Sequence, residues 1–336
     1  MWNGMNREHI IPQLLLRSWP FPRGAGRLAD RLFSKLSFAD EIVEVTTTDR
    51  FKITVMPNEL IGRHIYLTGE FDRSTVELLC SLAKPGDTLL DVGANIGYVS
   101  SCFLKIVAAS SVIAIEPQPD IANLLRTNLS QFGGRYQVLS VALSDQDGTC
   151  HFYIDARNRG ASKVVNQGEP GTQLLEMWSV GKMLAATKPS KIDLIKLDVE
   201  GHEEQIISAL APALEQFRPR AIIFEDRSHK SAPHQPIGLL LRSHGYEIFG
   251  MKKYLTKLRL NRVSSEADCV CNDYVALRAE SAENIASRTP LKLTLGQVRG
   301  GRLQSAAANG RSIPSRFAAH VPMMGMVGGR PVSDCD

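Results

Sequence analysis

Short apolar segments alternate with amphipathic ones through the middle of the chain. The apolar segments are rich in Val, Ile and Leu, and they predict strands at 88–92, 112–115, 137–143, 192–197 and 221–224. Helical spacing follows or separates them, from Tyr98 onward and at 120–132, 202–214 and 236–243. This alternation predicts an α/β fold with a mostly parallel sheet and helices on both faces, because parallel strands need crossover connections.

Segments on either side complete the predicted domain. Residues 246–250 and 274–277 are expected to close the sheet as a hairpin pair, with an antiparallel final strand. Residues 144–190 form a long insertion with a strand-like stretch at 150–154, and insertions of this length usually serve function. Residues 1–70 predict an extension that is helical to about residue 40 and β-like at 41–55. The main domain is therefore expected at 71–280.

The formal net charge of +4 is located in the C-terminal tail. Residues 281–336 contain seven basic and three acidic residues, which leaves the rest of the chain neutral. A neutral body argues against a dedicated nucleic-acid surface, which normally needs clustered Lys and Arg. The tail is rich in Gly, Ala, Ser and Arg without sustained periodicity, so we predict a disordered basic tail at 281–336.

Targeting segments and metal motifs are not evident in the sequence. The apolar stretch 10–16 is interrupted by Pro12 and Gln13, and no small-residue cleavage site follows it. The stretch 103–115 is too short to span a bilayer. We expect a cytoplasmic protein. The six cysteines lack paired zinc spacing, so no metal site is predicted.

A strand that runs into a glycine turn carries the strongest motif, Asp91-Val92-Gly93-Ala94-Asn95-Ile96-Gly97. Free N–H groups at such a helix start favour an anion, either a dinucleotide pyrophosphate or an amino-acid carboxylate. The Asp91 carboxylate would repel a pyrophosphate, but it could hold the ammonium of a methionine moiety directly or through water. The G-x-G-x-x-G spacing of nicotinamide enzymes is also absent.

Glu116 ends the second predicted strand, where an acidic side chain accepts hydrogen bonds from ribose hydroxyls. Together with Asp91 it indicates an adenosyl ligand with an amino-acid end; the alternative is that both residues only cap loops. Asp145 is equally compatible with binding an adenine amino group and with a turn. The predicted cofactor-binding residues are Asp91, Gly93, Asn95, Gly97, Glu116 and Asp145.

A second polar cluster follows the fourth predicted strand at residues 196–203. Ligands of open α/β sheets bind beyond the carboxyl ends of the strands, so this cluster is expected at the reactive end of the cofactor. As general base we rank Asp198 first, then Glu200, then His202, with Glu225 on the same rim. Several carboxylates make divalent-metal assistance possible, but no ligand spacing specifies it.

Two residues of this cluster have structural alternatives. For Lys196 we favour a buried ion pair with a neighbouring carboxylate over a catalytic role. For His202 we slightly favour an exposed position in the first helical turn over a general base.

The chain resembles the FkbM-type methyltransferases between about residues 61 and 246. The resemblance rests on several ordered motifs, which are Ile61-Gly62-Arg63, Asp91 to Tyr98, Ile115-Glu116-Pro117, Ala142-Leu143-Ser144 and Lys196 to Gly201 with Glu203. It implies a Rossmann-like class I methyltransferase sheet, S-adenosylmethionine as cofactor, and O-methylation of a hydroxyl group on a sugar, glycolipid or natural-product acceptor.

One position departs from the family pattern. Gly181 stands where family members typically carry Asp, which puts the choice of acceptor in doubt more than the use of the cofactor. Two other classes stay open: a non-catalytic adenosyl-binding protein and, with less support, a nicotinamide-dependent oxidoreductase. The carboxylates of Asp198, Glu200 and Glu225 favour an enzyme.

Overall fold

The computed structural model describes residues 7–33, 35–38, 41–155, 158–165, 171–228, 230–278 and 280. The predicted tail at 281–336 lies outside these residues. The helices are α1 (Arg7–Arg17), α2 (Ala25–Phe33), α3 (Leu60–Thr68), α4 (Arg73–Leu82), α5 (Tyr98–Ile106), α6 (Pro119–Leu129), α7 (Val180–Thr187), α8 (Glu203–Ala209), α9 (Ala211–Phe217) and α10 (Pro236–Ser243).

The strands of the described residues form three sheets. They are β1 (Val43–Thr46), β2 (Lys52–Val55), β3 (Thr88–Val92), β4 (Ser111–Ile115), β5 (Tyr136–Leu139), β6 (Ala142–Ser144), β7 (Gly148–Tyr153), β8 (Lys163–Val165), β9 (Thr172–Ser179), β10 (Leu194–Leu197), β11 (Ala221–Glu225), β12 (Tyr246–Lys253), β13 (Leu258–Arg262) and β14 (Asp273–Arg278).

The main sheet has eight strands in the order β13-β12-β14-β11-β10-β3-β4-β5. Strands β11, β10, β3, β4 and β5 are parallel, and β14, β12 and β13 are antiparallel to their neighbours. The chain runs outward from β3 in one direction through β4 and β5, and it returns to the other side of β3 with β10. The predicted fold class is confirmed, and the switch point between β3 and β10 is where such sheets bind ligands.

Side-chain alternation along the strands divides the core into two layers. Leu89, Ala114 and Ile223 pack on one face with helices α4, α5 and α6. Their neighbours Leu90 and Ile222 pack on the other face with helices α7 to α10. Because neighbouring strand residues point to opposite faces, burial of both sets requires helices on both sides of the sheet.

The single strand predicted at 137–143 is wrong. Residues 136–139 form β5 at the edge of the main sheet, whereas residues 142–144 form β6 in a separate four-stranded sheet, β6-β9-β7-β8. The apolar pattern continues across the break because Val141 and Leu143 are also buried. The insertion therefore contains strands β7, β8 and β9 and helix α7, more regular structure than the one predicted strand.

Two further elements differ from the sequence prediction. The helix predicted at 202–214 is two helices, α8 and α9, and Pro212 lies in the first turn of α9, where its missing N–H costs nothing. At the far edge, the expected pair of closing strands is three strands, because β13 forms a hairpin with β12 while β14 inserts between β11 and β12.

The N-terminal extension is attached to the main sheet through polar and apolar contacts. The Asn128 side chain on α6 accepts a hydrogen bond from the Thr54 N–H (2.7 Å) and donates to the Thr54 carbonyl (3.0 Å). Arg23, between α1 and α2, forms a buried ion pair with Glu77 on α4. No helix in the described part of the chain is long and apolar enough to cross a membrane.

Candidate functional site

The turn between β3 and α5 packs directly against the end of β10. Gly93 has a φ of +75°, and a Cβ built on it would lie 1.8 Å from the carbonyl oxygen of Asp198. Gly97 has a φ of +84°, and its Cβ would lie 2.5 Å from Leu125 on α6. The glycines are thus required by close approach as well as by backbone conformation.

Glu116 fixes the same turn from the end of β4. One carboxylate oxygen accepts a hydrogen bond from the Asn95 N–H (3.0 Å), and the other accepts from the Gln118 N–H (3.0 Å). Glu116 is almost fully buried, and burial raises the pKa of its carboxyl group to about 7 in spite of these bonds. The Glu116 side chain is part of the wall of a cavity next to the glycine turn, which is described below.

Lys196 and Asp91 are partners across β10 and β3 and point to the same face of the sheet. The Lys196 ammonium lies 3.3 Å from Asp91 and 3.5 Å from Asp198, and it donates to the Gly93 carbonyl (3.2 Å). Burial alone would lower the pKa of Lys196, but these carboxylates outweigh it and raise the pKa. The favoured interpretation of Lys196 as a buried ion-pair partner agrees with this geometry.

Asp91 itself is fully buried, and it is not among the residues that border the two cavities described below. Its second carboxylate oxygen accepts a hydrogen bond from Ser100 on α5 (2.6 Å). The oxygen that faces Lys196 has no other hydrogen-bond partner. Asp91 therefore lies beneath the glycine turn. It neutralises Lys196, which donates a hydrogen bond to the Gly93 carbonyl.

A cavity opens above the glycine turn, and we call it the turn cleft. Its wall includes residues 92–96, 115–118, 141–143, 159–160, 196 and 198–199, with Phe71, Asp72, Phe152, Ser162 and His202. The predicted residues Gly93, Asn95 and Glu116 are in this wall. The wall contains both apolar side chains and charged ones, among them Lys196 and Asp198.

A second cavity, which we call the rim cleft, lies on the other side of Asp198. Its wall includes residues 23–27, 70–74 and 253–255, with His64, Asp198, Glu200, Glu225, Arg227 and Asp273. The N-terminal extension thus supplies one side of it. Asp198, Phe71 and Asp72 belong to both walls, so the two cavities meet at these side chains.

The carboxylates of the rim cleft have different environments. Asp198 is 45% exposed at its side chain. Glu200 has a φ of +52°, and Arg227 lies 3.4 Å from Glu200 and 2.7 Å from Glu225. Burial raises the pKa of Glu200, and it raises that of Glu225 to about 7, because the Arg227 guanidinium compensates only in part.

These three carboxylates are also the described residues that best suit a cation. One oxygen from each of Asp198, Glu200 and Glu225 lies within 4.8 Å of the others. Arg227 already neutralises two of them, and acidic groups at a cleft are common without an ion. The sequence prediction of no metal site stays a prediction.

The other predicted site residues lie at different distances from the two clefts. His202 borders the turn cleft and is half-buried; its Nε2 lies 2.9 Å from the Ser144 hydroxyl, and burial lowers the pKa of its imidazole. Gly97 starts α5 behind the turn. Asp145 is exposed and accepts a hydrogen bond from Ser144 (2.9 Å) outside the turn cleft wall, as in the turn alternative.

Gly181 lies in the first turn of α7 and borders neither cleft. A Cβ built on it would meet only the Ser179 hydroxyl, at 3.9 Å. The departure from the family pattern therefore does not remove a side chain from the described walls of the two clefts.

Several wall residues were not found from the sequence. Arg159, in the insertion, pairs with Glu59 (3.3 Å) and Asp120 (2.9 Å) and covers part of the turn cleft. Lys253 pairs with Asp273 (2.8 Å) and Asp72 (3.5 Å) in the rim cleft. These contacts join distant segments, so no local pattern in the sequence indicates them.

Comparison with known proteins gives a family match for the part of the chain that forms most of the turn cleft wall. Residues 91–248 match the methyltransferase FkbM domain. The chain is 32% identical over 166 residues to the hexuronic acid methyltransferase AglP of Haloferax volcanii. This alignment covers 49% of this chain and 66% of AglP. The chain is also 28% identical over 150 residues to the 2-O-methyltransferase NoeI of Sinorhizobium fredii. This second alignment covers 39% of this chain and 60% of NoeI.

The chain spans less than two thirds of the length of both relatives. Among solved structures, the O-methyltransferase from Bacillus cereus in complex with SAH matches 62% of this chain and 81% of its own, with 11% identity and a TM-score of 0.36. The sequence match begins at Asp91 in the glycine turn and extends into β12, and so it includes the ends of β3, β4, β10 and β11. Residues 91–248 therefore resemble the FkbM methyltransferase domain over the part of the fold that contains the glycine turn.

Proposed function

We propose that the protein is an S-adenosylmethionine-dependent O-methyltransferase that acts on a hydroxyl group of a sugar or glycan-like acceptor. The observation that carries this proposal is the position of Asp198, which belongs to the walls of both the turn cleft and the rim cleft. A carboxylate at the junction of two clefts suits a reaction in which a group passes from a cofactor in one cleft to an acceptor in the other.

The residues of the turn cleft fit an adenosyl cofactor. Its apolar side, with Ile115, Leu143 and Phe152, suits an adenine ring, and Glu116 has carboxylate lone pairs for ribose hydroxyls. The backbone N–H groups of the glycine turn suit the carboxylate of a methionine moiety. When bound, S-adenosylmethionine supplies a methyl group on a positively charged sulfur.

The rim cleft suits a polyhydroxylated acceptor. Its wall is rich in charged side chains of both signs, which supply many donors and acceptors for hydroxyl groups. The names of two relatives, a hexuronic acid methyltransferase and a 2-O-methyltransferase, support a sugar acceptor. In this proposal the rim cleft orients one hydroxyl toward the turn cleft, and the acceleration comes largely from that alignment.

Asp198 is the base in this proposal, because a hydroxyl group must lose its proton when it accepts a methyl group. Lys196 is unsuitable for this role, since its carboxylate neighbours keep its ammonium protonated. Glu200 is paired with Arg227, and we assign it a second role beside Asp198. The nearby Lys196 ammonium holds the Asp198 carboxylate at the junction.

The direct test is methyl transfer from labelled S-adenosylmethionine. The purified protein would be incubated with uronic acids, neutral sugars, glycolipids and polyketide alcohols, and the products analysed by mass spectrometry. We expect a mass gain of one methyl group on a hydroxyl of one sugar class. Cofactor binding without transfer to any acceptor would support the non-catalytic alternative, and hydride transfer from a nicotinamide would contradict the proposal.

A further inference from the structure

The tip of the β12–β13 hairpin combines exposed apolar side chains with unpaired positive charges. Leu255 is 52% exposed, and Tyr254 beside it is also exposed. The flanking exposed cations are Lys252, Lys257 and Arg259. None of the three forms an ion pair within the described residues, and residues 251–262 contain no Asp or Glu. The tip therefore presents an apolar centre with a positive border.

The first two helices carry the same combination. Leu14 and Leu15 on α1 are each 57% exposed, and Ile11 lies one turn earlier on the same exposed face. Two exposed cations, Arg27 and Arg31, follow at helical spacing on α2, and the exposed Lys35 lies beyond the end of that helix. They too lack an ion pair in the described part of the chain. Exposed apolar side chains and unpaired cations thus both occur in a second segment of the chain.

A close contact brings these two segments together. Gly24, in the α1–α2 connection, packs so tightly against the hairpin that a Cβ built on it would lie 2.6 Å from the Leu255 side chain. Both Gly24 and Leu255 border the rim cleft, as do Arg27 and Tyr254. The hairpin tip and the start of α2 therefore meet at one side of the rim cleft.

We propose that the hairpin tip and the α1–α2 segment form a docking surface for an anionic lipid membrane. Amphipathic segments with Leu and aromatic residues beside Lys and Arg bind the headgroup layer through apolar insertion and through attraction to anionic lipids. A second copy of the chain is a poorer occupant, because a two-fold interface would place this basic surface against itself.

Docking in this way would direct one side of the rim cleft toward the lipid headgroups. If the proposed function holds, the acceptor is then a sugar carried on a lipid. Membrane binding itself does not depend on the proposed function, because it can be measured without cofactor or acceptor. The two proposals can therefore fail separately.

Vesicle sedimentation with the full chain tests the surface. Vesicles of phosphatidylcholine would be compared with vesicles that also contain phosphatidylglycerol, for the wild type and for three variants: Leu14→Asp/Leu15→Asp, Leu255→Asp and Lys252→Ser/Lys257→Ser. The matched control is Leu174→Asp, since Leu174 is 62% exposed on β9 and borders neither cleft. Thermal unfolding of every variant would establish that it is folded.

We expect binding to the anionic vesicles, weaker binding to the neutral ones, and loss of binding at high salt. Each removed cation should weaken binding by about fivefold. Both Leu→Asp variants should bind much more weakly, and the control should match the wild type. Absence of wild-type binding, equal binding by all variants, or a wild-type dimer that Leu255→Asp dissociates without any vesicle binding would overturn the proposal.

Discussion

At the scale of single residues, the site depends on one buried ammonium group. Lys196 contacts Asp91 on β3, Asp198 at the cleft junction and the Gly93 carbonyl in the turn. An ion pair between Lys196 and a neighbouring carboxylate could be expected from the sequence. That Asp91 is the buried partner depends on the alignment of β3 with β10, which local pattern does not give.

Asp91→Asn is predicted to destabilise the protein by about 3 kcal/mol, because it removes the buried partner of a buried charge. Asp198→Asn is the matched comparison. It should cost less than about 1 kcal/mol, because Asp198 is partly exposed and Lys196 keeps Asp91. Denaturant unfolding measures both values, and equal losses would contradict the assignment of Asp91 as the main partner.

Asp198→Asn and Glu200→Gln are predicted to lower turnover by about 10²-fold or more while cofactor affinity stays within a few-fold. The effect of Asp198→Asn should be larger, because Glu200 borders the rim cleft and is not part of the turn cleft wall. Glu176→Gln is the control, because Glu176 is an exposed residue on β9 that borders neither cleft. Turnover, affinity and melting temperature should be measured on the same preparations. Unchanged turnover in both variants would remove these carboxylates from the mechanism.

At the scale of secondary-structure elements, the buried parallel strands could be predicted well from the sequence. Strands β3, β4, β10 and β11 are nearly continuous apolar runs between polar turns, which is typical of a sheet covered on both faces. The sequence does not indicate the division between β5 and β6, because both sides of the break are apolar. It does not indicate strand β13 either, because basic side chains interrupt the apolar pattern there.

The contact between the glycine turn and β10 gives a prediction at this scale. Gly93→Ala should destabilise the protein by more than about 2 kcal/mol and weaken cofactor binding, because the new Cβ would overlap the Asp198 carbonyl at a positive φ. Gly134→Ala, where no atom lies within 4 Å of the new Cβ, is the control. Wild-type stability of Gly93→Ala would show that the turn is not packed as described.

The start of α3 gives a prediction for pH dependence. Burial raises the pKa of Glu59 to about 7 from an ordinary value of 4.5, because the partner Arg159 compensates only in part. The folded state therefore binds more protons than the unfolded state in this range. The Glu59 contribution to stability is full below pH 4.5 and is lost as the pH rises to about 7.

The free energy of unfolding of the wild type should therefore fall as the pH rises from about 5 to about 8, roughly the range over which Glu59 titrates. In Glu59→Gln this fall should be smaller. Glu44→Gln is the control, because Glu44 is also paired with a cation, Lys52, but is more than half exposed. The measurement is the free energy of unfolding of the wild type and both variants across this pH range. Parallel pH profiles for the wild type and Glu59→Gln would contradict the prediction.

At the scale of the whole molecule, the two clefts have different origins in the chain. The glycine turn and most of the turn cleft lie within the matched residues 91–248. The rim cleft also uses residues 23–27, 70–74 and 253–255 outside that match. The wall of the rim cleft depends on how the N-terminal extension packs on the sheet, so the turn cleft could be predicted from motifs and the rim cleft could not.

The neutral charge of residues 1–280 also conceals local differences that only the fold shows. The basic hairpin tip and the cations near α2 are balanced by acidic residues elsewhere, including those at the strand ends. The net charge of zero over residues 1–280 argues against a large basic surface for nucleic acid. The three-dimensional arrangement nevertheless brings the hairpin tip and the start of α2, each near unpaired cations, to one side of the rim cleft.

Calorimetric titration of the purified protein with S-adenosylmethionine tests the central claim, that the turn cleft is a cofactor site, most directly. We predict saturable binding of S-adenosylmethionine and of its demethylated product, at one site per chain, and weaker binding of both by Gly93→Ala. We predict no binding of NADH, because the glycine turn lacks the spacing for a pyrophosphate. Binding of NADH without binding of S-adenosylmethionine would contradict the account.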